Sequence, residues 1–383
     1  MKTVLIFSWF YLPYIGGAEL FVREIVSRLG GRYRFVIVTV RGDRALSRRE
    51  TCGGAEIIRV GFGGRMDKIL YPLPAVWRAL ELDSVSIVHA IMVNASALAA
   101  YLYRLLKHRP SILTIQNGDS EEYVRRYLGP AFPIYPRLHR PFDRIHVISE
   151  HLRDQALAYG ADAARISVVP NGVDTSVFSQ SAYPREELDR LRDGLGLNGS
   201  RIILSVSRLV LKNGIDELIR AMPAVAKEHA AAVLLLIGDG EDRVRLQSLA
   251  AEMRVDKRVR FLGQMDQAGV ARHLCLAEVF VRPSLSEGLG TAFLEALACE
   301  VPIVGTPVGG IPDFLEEGKT GLFCEPANPE SIAKAVNRLL SDRELARGCA
   351  TLGKKRVEQS YQWDRVAERI AGLYEELLKL ETK

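Results

Sequence analysis

The sequence lacks the signature motifs of several common chemistries. Its five cysteines include no Cys-x-x-Cys pair. Their odd number argues against a disulfide framework or structural zinc and for a reducing compartment. There is no His-Glu-x-x-His, and no Asp-x-Asp that would suggest a divalent cation bridging a diphosphate. We therefore expect a protein with no metal site and no cofactor.

Long apolar runs are also missing. The longest candidate, around residues 93–103, is followed at once by Arg104 and is shorter than the roughly 18 residues that a membrane helix needs. The opening MKTVLIFSWFYLP is apolar like a signal sequence, but no Ala-x-Ala follows it and helical periodicity does. We interpret it as a buried strand and expect a cytoplasmic protein. A peripheral position on the inner membrane face stays open.

Acidic residues are scarce in the first half of the chain. Residues 1–174 contain 23 Lys and Arg against 16 Asp and Glu, a net +7, whereas the remainder has 28 against 30, a net −2. Part of the surplus lies in segment 123–144, where basic residues alternate with aromatic residues and prolines. Such a segment can meet nucleic acid, anionic lipid or an acidic substrate. An ordinary solvated face has the same composition.

Strand-like apolar runs alternate with helical patterns through the whole chain. Runs such as TVLIF and FVIVTV in the first half, and RIILSVS and AVLLLIG in the second, are continuous in Val, Ile and Leu. Strands of this kind between helices indicate parallel sheets buried on both faces. The turn residues Pro170-Asn171-Gly172 mark the best boundary. The sequence thus predicts an α/β protein with two doubly wound domains.

One Gly-rich stretch, RPSLSEGLGTAFLEAL (282–297), places Glu287 and Glu295 on either side of a turn that leads into a helix. A helix N-terminus attracts anions. If the eight intervening steps were all helical, the two carboxylates would be about 12 Å apart along the axis, too far for the paired acids of a glycosidase. The spacing suits two contacts along one extended ligand. The alternative is a plain Gly loop with two solvated acids.

Five segments occur in a characteristic order. They are PYIGGAELFV (13–22), VVPNGVDTSVF (168–178), SVSRLVLKNGIDELI (205–219), LIGDGEDR (236–243) and PSLSEGLGTAFLEALACEVPIVGTPVGGIPD (283–313). Together they resemble the retaining nucleotide-sugar glycosyltransferases of family four, also described as glycosyl transferases group 1. The resemblance implies the GT-B fold, in which two Rossmann-like parallel-sheet domains face each other across a cleft.

The resemblance also implies a role for each domain. Residues 1–172 would bind the acceptor and residues 173–362 the nucleotide sugar, while a C-terminal helix at about 363–383 would pack back onto the first domain. Glu287, Arg208 and Lys212 would act at the reacting centre, and Glu295 would bind the ribose hydroxyls. The remaining donor contacts would be Gly16, Gly17, Gly238, Gly263, Gly288, Leu289, Gly290 and Thr291. Acceptor or sugar contacts would be Glu19, His89, Gln116 and Asn117.

Several positions depart from the family pattern. The family often has Lys where this chain has Asn213, so the role of that cation is carried to Lys212. Many members have His where this chain has Gln116, which can hydrogen-bond a hydroxyl but cannot act as a general base. Asp313 replaces the more usual Glu of the Gly-x-Pro-Glu motif. His89 matches the first His of a Val-His-x-His motif, and it is equally consistent with a structural role at a strand end.

The resemblance predicts a retaining, metal-independent enzyme of the hexosyltransferase type. It would transfer a sugar from a UDP- or GDP-sugar to a sugar, glycolipid or small-molecule acceptor. The sequence leaves open a peripheral contact with anionic membrane and gives no reason to expect a nucleic acid partner. Two alternatives also stay open: a sugar-nucleotide hydrolase or epimerase on the same fold, and a binding protein that has lost its chemistry.

Overall fold

The computed structural model describes residues 1–14, 16–64 and 66–380, and it divides the chain into two compact units. The first unit comprises residues 1–172 together with the segment that starts at Trp363, and the second comprises Val173–Gln362. Each unit contains a parallel sheet and helices, so the predicted α/β class with two such domains is confirmed. Of the predicted C-terminal helix 363–383, residues 381–383 lie outside the described part.

The first unit is built on eight strands, β1 (Lys2–Ser8), β2 (Tyr33–Val40), β3 (Arg49–Cys52), β4 (Ala55–Val60), β5 (Val85–Ile91), β6 (Ser111–Ile115), β7 (Arg144–Val147) and β8 (Ile166–Val168). They lie in the order β3-β4-β2-β1-β5-β6-β7-β8. All neighbours are parallel except β3 and β4. Strands β5 and β6 are buried at every residue, as expected for a sheet covered on both faces.

The second unit has six parallel strands, β9 (Arg201–Val206), β10 (Ala232–Ile237), β11 (Val259–Gly263), β12 (Val279–Arg282), β13 (Ile303–Gly305) and β14 (Gly321–Phe323). Their order is β11-β10-β9-β12-β13-β14. In both sheets the order reverses beside the first strand, since β1 lies between β2 and β5 and β9 lies between β10 and β12. Open α/β sheets bind ligands outside the carboxyl ends of the strands at this point.

The helices of the first unit are α1 (Gly17–Leu29), α2 (Asp67–Leu70), α3 (Pro72–Leu80), α4 (Ala95–Lys107), α5 (Glu121–Leu128), α6 (Ile134–Arg137), α7 (Glu150–Ala158) and α15 (Trp363–Leu380). Those of the second are α8 (Arg185–Gly194), α9 (Ile215–Glu228), α10 (Arg243–Glu252), α11 (Gln267–Leu276), α12 (Thr291–Ala298), α13 (Pro329–Ser341) and α14 (Arg343–Ser360). Six of them begin at an Asn, Ser or Asp whose side chain accepts a backbone N–H. These caps satisfy amide groups that the helix itself leaves unpaired.

The last helix, α15, belongs to the core of the first unit. It packs against α1, and its buried residues, among them Trp363, Ile370 and Tyr374, join the apolar core formed by α1 and strands β1 and β2. Arg32 adds ion pairs to two carboxylates of α15, at 2.9 Å to Glu368 and 2.6 Å to Glu375. The segment after the second unit is therefore held by burial first and by surface charge second.

A buried chain of hydrogen bonds ties α15 to the sheet. Tyr374 OH lies 2.8 Å from His89 Nδ1, His89 Nε2 lies 2.6 Å from Thr114 Oγ1, and Thr114 Oγ1 lies 2.9 Å from His146 Nδ1. His146 Nε2 lies 2.7 Å from the carbonyl O of Val169, which can only accept. With both histidines neutral, every link then has one donor and one acceptor. Burial favours this state, since it lowers the pKa of His89 to about 3 and that of His146 to about 4.

Replacing Thr114 with Val is expected to lower the free energy of unfolding by about 2–6 kcal/mol. The substitution keeps the volume but removes a partner from each of two buried histidines, and each unsatisfied group costs about 1–3 kcal/mol. Urea denaturation measures the change, and Thr114→Ser, which keeps the hydroxyl, is the matched control. Equal stability of wild type and the Val variant would contradict the assigned chain.

The same chain predicts how the stability of the wild type depends on pH. Unfolded histidines take up protons below their ordinary pKa of 6.5, whereas folded His89 and His146 resist protonation until about pH 3 to 4. The unfolded state therefore binds more protons in this range. The contribution of the two histidines to stability is present above pH 6.5 and is lost as the pH falls toward 4.

Candidate functional site

The loops that follow strands of the second sheet approach one another closely at its carboxyl edge. Gly214 has a φ of +66°, and a Cβ atom there would lie 2.0 Å from the carbonyl O of Pro283. Gly309 has a φ of +56°, and its Cβ would lie 1.8 Å from the carbonyl O of Glu287. Only glycine fits such contacts. The loops after β9 and β13 are thus packed against the loop after β12.

Glu287 lies in the loop between β12 and α12 and is half-buried. Its Oε2 atom forms an ion pair with the Arg282 guanidinium, and its Oε1 atom accepts a hydrogen bond from the Gly288 N–H at 3.1 Å. The carboxylate is therefore held in one orientation at the sheet edge. The Gly288 amide, predicted to bind the diphosphate, already donates to Glu287 here.

Arg282 is a site residue that the sequence analysis missed. It ends β12, is 6% exposed, and its guanidinium lies 4.9 Å from the centroid of the Phe293 ring. Its Nη1 atom donates to the carbonyl O of Val206 at 3.4 Å, while Nε has no hydrogen-bond partner in the described part of the chain. Arg282 pairs with Glu287 and also exerts an electrostatic effect on Glu295. The signal in the sequence was a cation ending an apolar strand, VFVR.

Helix α12 begins without a side-chain cap. Gly290, its N-cap residue, has a φ of +92° and offers no side chain to the first amides, and Leu289 before it is buried. The Phe293 N–H donates to the carbonyl O of Gly290 at 2.9 Å, whereas the amides of Thr291 and Ala292 have no side-chain acceptor among the described residues. The positive end of the helix dipole is therefore available to an anion.

Glu295 lies on α12, one turn beyond these amides, and is half-buried. Burial raises the pKa of its carboxyl group to about 7, and the positive charge of Arg282 opposes that rise. No hydrogen bond or ion pair of its carboxylate is found within residues 1–14, 16–64 and 66–380. A half-buried acid without a partner is costly for a fold and is characteristic of ligand sites.

Arg208 and Lys212 follow β9. Arg208 is exposed, and Lys212 is half-buried in a turn whose carbonyl O at residue 212 accepts the N–H of Leu285 at 2.7 Å. This hydrogen bond joins the lysine turn to the loop that carries Glu287. Asn213 is buried, and its Nδ2 donates to the carbonyl O of Arg208 at 2.6 Å. Asn213 therefore fixes the shape of the loop, while the two cations flank it.

Gly238 directly follows β10, and Gly263 ends the neighbouring strand β11. The N–H of Gly238 donates to the carbonyl O of Gly263 at 2.8 Å, and both residues have positive φ angles, +129° and +76°. The β10 loop is also bonded to the β9 loop, since the N–H of Leu209 donates to the carbonyl O of Asp239 at 3.0 Å. The structure thus brings the predicted residues of the second unit to one edge of its sheet.

In the first unit, Gly16, Gly17 and Glu19 follow β1 at the start of α1. The Gly16 N–H donates to Glu19 Oε2 at 2.9 Å, so this carboxylate caps the helix. Burial raises the pKa of Glu19, and hydrogen bonds from the backbone amides of Glu19 and Gly16 oppose the rise. A Cβ at exposed Gly17 would meet no atom within 4 Å. Among the described residues of this unit nothing requires glycine there, which is compatible with a ligand approaching that point.

Gln116 and Asn117 follow β6. Gln116 Oε1 accepts a hydrogen bond from Asn171 Nδ2 at 3.1 Å, and its buried Nε2 has no partner in the described ranges. Asn117 Oδ1 accepts the Val93 N–H at 3.4 Å. Asn171 orients the Gln116 amide and was also missed by the sequence analysis, which interpreted it only as a turn residue at the boundary.

His89, proposed as an acceptor contact or as a structural residue, has the structural role. It is 1% exposed, and both of its ring nitrogens are hydrogen-bonded, to Tyr374 and Thr114. A residue so buried and so paired is not placed to touch an acceptor. The structure therefore favours the structural alternative for His89, and the acceptor contact stays an untested prediction.

Comparisons with known proteins agree with the motifs. The profile of "Glycosyltransferase Family 4" matches residues 15–177, and that of "Glycosyl transferases group 1" matches residues 189–356. The chain is 28% identical to a GDP-mannose-dependent alpha-(1-6)-phosphatidylinositol monomannoside mannosyltransferase of Mycobacterium tuberculosis, over 97% of each chain. It is 29% identical to an N-acetyl-alpha-D-glucosaminyl L-malate synthase of Bacillus anthracis, over 78% of this chain and 77% of that protein.

Solved structures agree in fold. Sucrose-phosphate synthase from Thermosynechococcus elongatus superposes with a TM-score of 0.86 at 22% identity, covering 99% of this chain and all of that one. Anabaena HepE in complex with UDP and glucose gives 0.82 at 18% identity, covering 98% of this chain and all of that one. At these identities the structural likeness concerns the fold, and the two profile matches carry the family. The chain belongs to the glycosyl transferases of group 1, and it is a hexosyltransferase with the GT-B fold and a nucleotide-sugar donor.

Proposed function

We propose that the enzyme transfers a hexose from a UDP- or GDP-sugar to an acceptor with retention of anomeric configuration and without a metal ion. The observation that carries the proposal is the carboxyl edge of the second sheet. The loops at this edge carry the oriented Glu287 carboxylate and the cations Arg208 and Lys212. Helix α12 begins beside them without a side-chain cap and carries the Glu295 carboxyl group, which has no hydrogen-bond partner among the described residues. Such a set matches the sugar, ribose and diphosphate of one extended donor.

Each part of the donor has a suitable partner in this arrangement. The Glu287 carboxylate accepts hydrogen bonds from the sugar hydroxyls, and the Glu295 carboxylate accepts them from the ribose hydroxyls. The first amides of α12 donate to the diphosphate. Gly238 and Gly263 provide main-chain contacts near the base. A donor contact at Gly16 and Gly17 stays a prediction from the resemblance.

In the transfer step the bond between the anomeric carbon and the phosphate oxygen breaks. The acceptor oxygen forms its bond to that carbon on the same face, and its proton passes to the departing phosphate oxygen. Arg208, Lys212 and the helix amides stabilise the charge that develops on the diphosphate. Because the leaving group takes the proton, no protein base is needed, and Gln116 can stand where a His would otherwise be.

The acceptor is proposed to be anionic or membrane-associated. The support is the +7 charge of residues 1–174 and the phosphatidylinositol mannoside named for the mycobacterial relatives. A sugar phosphate would satisfy the same charges. Gln116, oriented by Asn171, and Asn117 are the proposed contacts to acceptor or sugar, and Glu19 acts through the conformation of the Gly16 loop.

Transfer assays after treatment with EDTA test the proposal. We expect activity to survive chelation, and NMR of the product to give the same anomeric configuration as the donor. Loss of activity that Mg²⁺ or Mn²⁺ restores would contradict the metal-free step, and an inverted product would contradict retention. Donor hydrolysis with no transfer to any acceptor would favour the hydrolase alternative.

Glu295→Gln is expected to stabilise the ligand-free protein at pH 8 by up to about 3 kcal/mol and to have little effect at pH 4.5. The carboxyl pKa is raised from 4.5 to about 7 in the folded state, and each unit corresponds to about 1.4 kcal/mol. Between pH 4.5 and 7 the folded state therefore binds more protons than the unfolded state. The free energy of unfolding of the wild type falls as the pH rises through this range, and that of Glu295→Gln does not. Chemical denaturation at both pH values measures it.

The same variant is expected to bind free nucleoside diphosphate more weakly, since an amide replaces the carboxylate that accepts from ribose. Wild-type affinity should increase as the pH rises through 7, and that increase should disappear in Glu295→Gln. Exposed Glu252 provides a matched control, Glu252→Gln. Unchanged nucleotide affinity in Glu295→Gln would exclude the ribose role.

A further inference from the structure

A patch of large apolar side chains is exposed along α2 and α3 of the first unit. Eighteen large hydrophobic residues of the described chain are exposed, and six of them lie within the sixteen residues 62–77. These six define the α2–α3 surface: Phe62 (72% exposed), Met66 (59%), Ile69 (71%), Leu70 (49%), Leu73 (70%) and Trp77 (66%). Phe62 and Met66 precede α2, whereas Ile69, Leu73 and Trp77 are spaced by four residues, which favours one side of the helical segment.

The opposite side of these helices is firmly attached to the unit. Tyr71 is buried, and its hydroxyl donates to the carbonyl O of Val38 at 2.7 Å. The Asp67 carboxylate accepts N–H groups from Phe62 at 3.0 Å, Gly63 at 2.6 Å and Gly64 at 3.0 Å. The exposed apolar side chains are therefore presented by an anchored element, and their exposure is a property of the fold.

Two exposed arginines border the α2–α3 surface. Arg44 Nε donates to the carbonyl O of Phe62 at 3.2 Å, and Arg48 lines, with Phe62, Leu70 and Trp77, a depression of about 270 Å³. Neither arginine pairs with a carboxylate in the described part of the chain. Cations without counter-ions beside an apolar face that includes Trp are what an anionic bilayer surface complements.

We propose that the α2–α3 surface docks the enzyme on an anionic lipid bilayer. Leu73, Ile69 and Trp77 enter the boundary between headgroups and acyl chains, and Arg44 and Arg48 contact lipid phosphates. This is peripheral attachment, since none of the described helices is long and apolar enough to cross a bilayer. The inference rests on the proposed function only in that a lipid-borne acceptor would give the attachment its purpose.

The α2–α3 surface is formed by a different segment of the first unit from the one that the sequence suggested. Within residues 123–144, Phe132 and Tyr135 are buried, at 8% and 5% exposure, so they cannot enter a headgroup layer. Arg125 pairs with Glu121 and lies 4.2 Å from the centroid of the Phe132 ring. Tyr123, Tyr127 and Ile134 of that segment are exposed, but the burial of Phe132 and Tyr135 leaves it without two of the four aromatic anchors that it would need.

The test is co-sedimentation of the full chain with vesicles of phosphatidylcholine alone or mixed with phosphatidylglycerol, in the absence of donor and acceptor. We expect binding to the anionic vesicles only, weakened at high salt. Leu73→Ser/Trp77→Ser should reduce the partition coefficient roughly tenfold or more, because it removes two apolar anchors. Arg44→Ser and Arg48→Ser should each reduce it about fivefold at low salt. Leu105→Ser/Leu106→Ser, which alters two exposed leucines of α4, is the matched control and should bind like wild type.

A second measurement follows Trp77 directly. Its fluorescence should be quenched by brominated lipid in anionic vesicles, and the quenching should be lost in Trp77→Phe, because Trp363 is buried and Trp9 half-buried. No binding to either vesicle, equal binding to both, or full binding by Leu73→Ser/Trp77→Ser would overturn the proposal. Conversion of a dimer to a monomer by that variant would assign the surface to a second copy of the chain.

These outcomes are separable from the proposed function. The vesicles contain no acceptor, so an error about sugar transfer leaves the binding result unchanged. Nucleoside diphosphate binding in solution should be equal in wild type and in all of these variants, which confirms that the second unit is folded. A loss of nucleotide binding that accompanied a loss of vesicle binding would show misfolding and would count against the proposal.

Discussion

Replacing Arg208 or Lys212 with alanine is expected to reduce kcat/KM for sugar transfer by about a hundredfold to a thousandfold. The departing diphosphate carries about two negative charges, and the sequence contains no Asp-x-Asp to bind a metal that would balance them. Loss of one preorganised charged or polar donor to a developing oxyanion costs about 2.7–4 kcal/mol. Initial rates at varied donor concentration measure the effect.

Two controls accompany this measurement. Lys227→Ala removes an exposed cation elsewhere in the same unit, on α9, and should leave kcat/KM unchanged. Asn213→Ala removes the hydrogen bond to the carbonyl O of Arg208, so it should cost stability of about 1 kcal/mol and a smaller part of the activity. If Arg208→Ala and Lys212→Ala transferred sugar at near wild-type rates, the proposed charge stabilisation would be wrong.

Glu287→Gln is expected to lower kcat/KM by a factor that corresponds to about 2–4 kcal/mol of lost transition-state stabilisation, while changing nucleoside diphosphate affinity little. The amide keeps the shape of the side chain and can still accept from the Gly288 N–H, but it removes a charged contact to the sugar that is reacting. It also leaves the buried Arg282 guanidinium without its counter-ion, so a lower free energy of unfolding should accompany the lower rate.

Steady-state kinetics and nucleotide titration on the same preparation separate the two effects. Exposed Glu241 of the same unit gives the control Glu241→Gln, which should match wild type in both. A Glu287→Gln variant that lost nucleotide affinity as strongly as turnover would place Glu287 on the nucleotide and contradict its assignment to the sugar.

The fold could be predicted from the sequence because its strands are long apolar runs. A strand such as RIILSV or AVLLLI can be buried on both faces only in a parallel sheet covered by helices, and both lie side by side in the second sheet. The loop around Glu287 was equally readable, because its glycines and the following helix are local features. The position of Gly214 against Pro283 could not be predicted from the sequence, because it depends on a contact between loops that are distant along the chain.

The roles of residues that depend on tertiary partners could not be predicted from the sequence. Arg282 looked like the end of a strand, and only the fold shows that it is buried between Glu287 and the Phe293 ring. His89 matched a motif, yet its position is explained by Tyr374, which lies at the other end of the chain. In segment 123–144 the alternation of basic with aromatic residues suggested a surface that could meet anionic lipid. Phe132 and Tyr135 of that segment instead stack with each other and are buried.

The central claim is that the second unit binds a nucleotide sugar through Glu295, the α12 amides and the two cations. A thermal-shift panel of UDP-, GDP-, ADP- and dTDP-sugars with wild type and Glu295→Ala tests it most directly. We predict that one nucleotide family raises the wild-type midpoint, since a ligand at a hundred times its Kd stabilises by about 2.7 kcal/mol, and that Glu295→Ala loses most of this shift. No shift with any nucleotide sugar, or an equal shift in the variant, would contradict the account.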